Sequence, residues 1–307
     1  MSEPALDVGR PMAVPEAEWH TIRQPQDHAL LRFLRVLLRN YATALGLAII
    51  VVMIVVALVG PVLAPYKYDE VILTDRLQPP SAEHLLGTDQ FGRDILSRML
   101  FGARVSLVVG LGGVAVAMAF GVVLGAIAGF YGRWPDEIIM RLMDILLAFP
   151  YIILAVALIA MVGPSVRNII LVVGFTRLPQ FARLVRGSVL TIRETDFVTA
   201  ARAIGQREWR ILSRHILPNC LTPIVVMASL SVATAILTES ALSFLGLGIQ
   251  PPQSSWGTMI ADGRRFMLDA PWIATFPGIA ISLTILGYNL LGDGLRDALD
   301  PRLRTRE

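Results

Sequence analysis

DFVTAARAIGQREWRILSRHILPN, Asp196–Asn219, carries four arginines yet lies between segments apolar enough to cross a membrane. Locally it reads as a bent pair of helices. Thr195 or Asp196 can cap the first. Phe197, Ala200, Ala201 and Ile204 follow at i, i+3, i+4 and i+7, which gives it one apolar face. Gly205 can take the left-handed conformation that stops a helix. Trp209, Leu212 and Ile216 make a second stripe, which Pro218 ends before the next apolar run. The two alanines project little, so a partner can close over the backbone here, with arginines such as Arg202 orienting it by charge. An amphipathic helix lying on lipid headgroups is the alternative reading.

Outward from this stretch the chain is strongly apolar: 54% of its 307 residues are hydrophobic and its mean hydropathy is +0.61. Windows of about 20 apolar residues recur, and the alternating segments of a β-barrel do not, which points to an all-α polytopic membrane protein. Six spans are expected, at about 41–64, 105–131, 138–162, 166–184, 217–245 and 271–291. A tail over 1–40 precedes them, a polar outer segment covers 65–104, and the arginine-rich insert covers 185–216. The first 40 residues are polar and the first apolar run is too long for a leader, so that run is expected to stay as an anchor.

Parity supports the weak fourth span, which Arg177 and Pro179 interrupt. Arg183 to Pro218 holds seven arginines against three acids. With six spans this stretch and both termini fall inside, as the positive-inside bias requires. Arg32, Arg35 and Arg39 before the first span agree.

Gly113, Ala117, Gly121, Gly125 and Gly129 recur every four residues and form a strip for close helix packing, in this chain or a partner. Arg141 and Asp144 lie three apart and can pair, and Pro150 is expected to kink the third span. Glu239 is an acid inside the fifth, either a pathway residue or a structural partner. Asp89, Gly92, Arg93 and Asp94 make a tight turn ahead of an amphipathic outer helix bearing Ile95, Leu96, Met99 and Leu100. His84 beside this turn reads as a surface residue.

Several chemistries are excluded. The charge of +3 sits in loops flanking spans and is no nucleic-acid signal. Cys220 is the only cysteine, so no disulfide framework exists. The four histidines form no HExxH or close ligand pair, so no metal site is expected. Lys67 is the only lysine and follows Tyr66, so a nucleotide-binding Gly-Lys-Ser/Thr loop is absent. Gly110, Gly112 and Ala115 match GxGxxA without a βαβ setting. An ion-coupled transporter would show repeats and clustered acids, and neither appears. An intramembrane protease is opposed by the lack of a span lysine and of a GxGD motif at Gly292–Asp293.

Thr199-Ala200-Ala201 with Gly205, then Ile216-Leu217-Pro218, resembles the EAA loop of ABC importer permeases. The loop's usual glutamate is Thr199 here. LLGTDQFGRDILSRMLFGARVSL (85–107), MRLMDILLAFP (140–150), SFLGLGIQPPQSSWGTMI (243–260) and NLLGDGLRDALDPRLR (289–304) are similar to the dipeptide, oligopeptide and nickel permease family, in the pattern of its second, C-type subunit. The resemblance implies a type I ABC importer permease fold in a bacterial cytoplasmic membrane. It assigns ATPase coupling to the loop, with Asp196, Thr199, Ala200, Ala201, Arg202 and Gly205 as the residues concerned. It makes Asp89, Gly92, Arg93 and Asp94 candidates for docking a substrate-binding protein, and Glu239 a candidate pathway residue. The implied partners are a B-type permease, two ATPases (D- and F-type) that use ATP and magnesium, a substrate-binding protein and lipid. No cofactor is expected on this chain. Di- and oligopeptides are the implied substrates, with nickel chelates, glutathione and opines carried by related systems.

Overall fold

A computed structural model describes residues 37–38 and 40–299. The expected tail over 1–40 otherwise lies outside the described residues, with Arg32, Arg35 and Arg39, and so does 300–307. Ten helices follow: α1 (Tyr41–Leu63), α2 (Ile95–Tyr131), α3 (Arg133–Leu147), α4 (Tyr151–Val162), α5 (Val166–Arg193), α6 (Asp196–Ala203), α7 (Glu208–Ile211), α8 (Leu221–Phe244), α9 (Trp256–Gly263) and α10 (Trp272–Leu299). Five continuous helical stretches are long and apolar enough to cross a bilayer, and α3 with α4 makes up to a sixth.

The centre of the bundle is α2 against α5. The glycine strip explains the closeness. A Cβ added at Gly113 would lie 2.7 Å from Val173 Cγ1, and one at Gly129 would lie 2.8 Å from Arg186 O. The strip therefore meets a helix of this chain. On the other side α10 packs against α1, α8 and α9, with Gly46 of α1 close to Leu290.

Several helices run past their expected bounds. The outer amphipathic helix is not separate: Ile95–Tyr131 is one helix, started by Asp94, whose carboxylate accepts from Ser97 N at 2.7 Å. No breaker separates Ile95 from Val105, so the helix continues. At 37 residues it is about 55 Å long, well beyond a core of about 30 Å. α5 likewise runs to Arg193 with Pro179 inside it, because arginines there mark emergence into water and still favour helix. α9 was not foreseen. A capping box between Ser255 and Thr258 starts it.

The third span is broken, not kinked: α3 and α4 meet at 90°. Pro150 lacks an N–H and forces Phe149 toward extended backbone, so the helix cannot pass. Arg141 does not hold Asp144 as expected. Arg183 of α5 does, at 2.5 Å, and Asp136 takes Arg186 with two bonds of 2.5 and 2.6 Å. The side chains that matter came from another helix.

Candidate functional site

The insert forms an elbow at one end of the bundle. Thr195 is extended but caps nothing, since its hydroxyl donates to Ile192 O at 2.6 Å. α6 ends in two reverse bonds, Gln206 N to Ala201 O at 3.1 Å and Gly205 N to Arg202 O at 2.9 Å. This is a Schellman closure, and it places Gly205 at φ +76. Arg202 then reaches Glu208 across the corner at 3.3 Å.

The elbow buries a different face from the expected one. Val198 and Ala201 point inward, onto Phe130, Val185, Val189, Ile211, Leu212 and Ile216. Phe197, Ala200, Ile204 and Trp209 point out, with Ile204 78% exposed. Ala201 is thus part of the buttress and not of an open surface. Asp196, Thr199, Ala200, Arg202 and Gly205 all lie exposed around it. Periodicity offered two adjacent stripes, and only packing against α5 selects between them.

Pro218 does not end the second half. The chain widens into a π-helical turn at Leu212–Ile216, with Leu217 N bonding Leu212 O, and passes through Leu217–Cys220 into α8. The wider turn tolerates the missing proline donor, and Asn219 Nδ2 donates to His215 O at 2.6 Å. The elbow is therefore joined to α8 by continuous helix. On its other side Arg193 Nη1 donates to Gly129 O at 3.0 Å, tying the end of α5 to α2.

At the far end of the bundle Asp89, Gly92, Arg93 and Asp94 come together, but buried. Asp89 is fully buried and accepts from Arg93 Nε at 2.6 Å and from Arg98 Nη1. Its other oxygen takes Phe91 N and Arg93 N. Asp262 of α9 meets both arginines, at 3.4 and 3.6 Å. Asp94 holds Ser97 and His84 Nδ1, the latter at 3.1 Å. His84 is thus interior, not a surface residue. Gly92 has φ +73, and a Cβ there would overlap Ile72 O. In this arrangement the carboxylates of Asp89 and Asp94 are occupied by internal pairs. Arg98 and Asp262 were missed. The one clue was Arg98 on the otherwise apolar side of Ile95 and Met99.

Glu239 is also fully buried. Ser243 and Ser255 donate to it at 2.8 Å each, and Ser106 at 3.4 Å. It ties α8 to α2 and to the start of α9, where Trp256 N also reaches Ser106. In this arrangement Glu239 is a junction between α2, α8 and the start of α9.

A many-helix membrane bundle with a rigid elbow at one end and a folded cap at the other defines a class: polytopic transport subunits. Residues 121–305 match the family model for the binding-protein-dependent transport system inner membrane component. Residues 30–80 match the N-terminal membrane domain of oligopeptide transport permease C. The chain is 47% identical to the dipeptide transport system permease of Alkalihalophilus pseudofirmus, over 96% of each chain. It is 45% identical to the glutathione transport system permease of Pectobacterium atrosepticum, over 93% of this chain and 94% of that one. The di/tripeptide permease of Pseudomonas aeruginosa shares 45% over 85% and 88%. A chain in the inward-facing MetNI methionine ABC transporter has the same fold, with TM-score 0.52 and 19% identity over 65% of this chain and 95% of that one. The chain belongs to the family of binding-protein-dependent transport system inner membrane components, the multi-pass permease subunits of ABC importers.

Proposed function

We propose that this permease forms half of a translocation pathway for di- or oligopeptides, beside a homologous B-type permease. Two cytosolic ATPases (D- and F-type) with ATP and magnesium drive it at the elbow, with both termini on that side. A substrate-binding protein delivers peptide at the opposite end, over the surface that the Asp89 cluster shapes from beneath. The observation that carries this reading is the exposed apolar set Phe197, Ala200, Ile204 and Trp209 on an elbow continuous with α8. A push there has a helical lever into the membrane, which is what switching between two packings requires. The glutathione relative, at nearly the same identity, supports a γ-glutamyl peptide as a second substrate reading.

Two outcomes test the coupling. In the complex purified with its neighbouring subunits, Ala200→Cys is expected to cross-link to an ATPase while buried Ala201→Cys is not. Equal labelling at both, or at neither, counts against the elbow as the docking face. Separately, Gly205→Val should lower peptide uptake at least tenfold while membrane insertion persists. A Cβ at Gly205 meets nothing within 4 Å, so the penalty is the left-handed backbone alone, about 1–2 kcal/mol. Gly205→Asn, which tolerates that conformation, should keep most of the uptake.

A further inference from the structure

One helix start and one arginine meet inside the bundle, and among the described residues no acidic side chain pairs with that arginine. α4 begins at Tyr151, immediately after the 90° break. Its capping position is Pro150, which offers no side-chain bond, and the N–H groups of a first helical turn have no intrahelical acceptor. Arg177 of α5 lies over the Tyr151 ring, Cζ 4.8 Å from its centroid. Arg177 is 6% exposed. Among the described residues its Nη2 has only neutral partners, Thr234 O at 3.3 Å and Thr238 Oγ1 at 3.5 Å, and its Nε has none. Thr238 itself donates to the same Thr234 carbonyl at 2.8 Å, so that acceptor is shared.

Depth makes this pair costly. Counted from the short turn that joins α4 to α5, Tyr151 lies about 18 Å along one helix and Arg177 about 17 Å along the other, roughly half the thickness of a core of about 30 Å. Asp144 is paired with Arg183, Asp136 with Arg186, and Glu239 is bonded to its serines, so none of these three serves Arg177. A buried guanidinium and an uncapped helix start are both electropositive, and both are stabilised by the same kind of ligand. Interrupted membrane helices that aim an N-terminus at an anionic group are one general way to bind substrate at mid-depth.

We propose that Arg177, Tyr151 and the start of α4 form a carboxylate-receiving site, which takes the C-terminal carboxylate of a peptide in transit. The proposal rests on the peptide-importer reading above. The aromatic ring, 41% exposed, covers the guanidinium when no anion is present. An arriving carboxylate displaces it and forms paired N–H···O bonds. Leaving restores the ring, so the hold is transient.

The test uses the whole complex in detergent without nucleotide, carrying Tyr151→Trp as an emission reporter. It is titrated with alanylalanine, with alanylalanine amide, and with sodium acetate against chloride at equal ionic strength. Alanylalanine and acetate are expected to shift the emission and the amide is not. Adding Arg177→Gln should weaken the response tenfold or more, and Arg177→Lys should retain part of it. An equal response to the amide, or an unchanged response in the glutamine variant, overturns the site. So does loss of the partner permease on Arg177→Gln with no carboxylate effect in Arg177→Lys, which would assign the arginine to a subunit contact. Uptake of alanylalanine by the unmodified complex is measured in parallel. No uptake sinks the importer reading, whereas uptake without carboxylate discrimination sinks only this site.

Discussion

Asp89→Ala is expected to lower the thermal midpoint of the detergent-purified protein by roughly 10 °C. Asp89 is the shared anion of two buried guanidinium groups, those of Arg93 and Arg98. Asp262 is partly exposed and more distant, so it does not replace the lost charge. Removing one member of such a cluster leaves uncompensated buried charge and costs about 3–5 kcal/mol. The backbone suffers too, because Phe91 and Arg93 lose the acceptor that shapes the Gly92 turn. Asp89→Asn, which keeps one acceptor oxygen for the Phe91 and Arg93 N–H groups but loses the charge and the second acceptor, should fall between. A midpoint within about 2 °C of the unmodified protein would mean that the cluster does not hold the outer segment.

Gly125→Val is expected to abolish recovery of folded protein. A Cβ at Gly125 would overlap Ala182 O and lie 2.9 Å from Val185 Cβ. Backbone cannot move aside as a long side chain can, so α2 and α5 must separate along the bundle's central contact. Without a hydrophobic drive between helices in lipid, that contact depends on close packing. Gly187→Ala on α5 is the matched control, since nothing lies within 4 Å of an added Cβ there. It should fold normally, with a small gain from helix propensity. Monodisperse Gly125→Val protein in size-exclusion chromatography would contradict the packing described.

The legible part of the fold was what the solvent dictates. Apolar runs marked the five long membrane-type helices. Gly113 to Gly129 announced a close contact but not its partner. The helix ends were misjudged at both α2 and α5, because hydropathy reports where lipid stops and not where hydrogen bonding stops. Residues 95–104 and 185–193 continue their helices beyond the expected spans. The elbow residues were placed by motif, yet their inward and outward sides were not, since Val198 and Phe197 are equally apolar.

The charged residues divide in the same way. Asp89, Arg93 and Asp94 were recognised as a turn, but their burial rests on Arg98 of the adjoining helix turn and on Asp262 arriving from α9. Glu239 stood out as an acid in a span, and only the serines of α2, α8 and the α9 start show why it is there. Arg177 registered as an interruption of the fourth span. Its meaning depends on the break before Tyr151, more than twenty residues away in sequence and stacked against it in space.

By itself, then, the sequence determined the membrane class, five of the apolar helices, the glycine corner and, through its motifs, the family. Those follow from one-dimensional quantities: length of apolar run, sign of flanking charge, spacing of small residues. Tertiary structure alone decided which carboxylate neutralises which arginine, which face of the elbow is free, and which helix fills the glycine strip. Most of those are contacts between residues far apart in the chain, such as Arg183 with Asp144 or Gly113 with Val173, and short-range spacing carries no record of them.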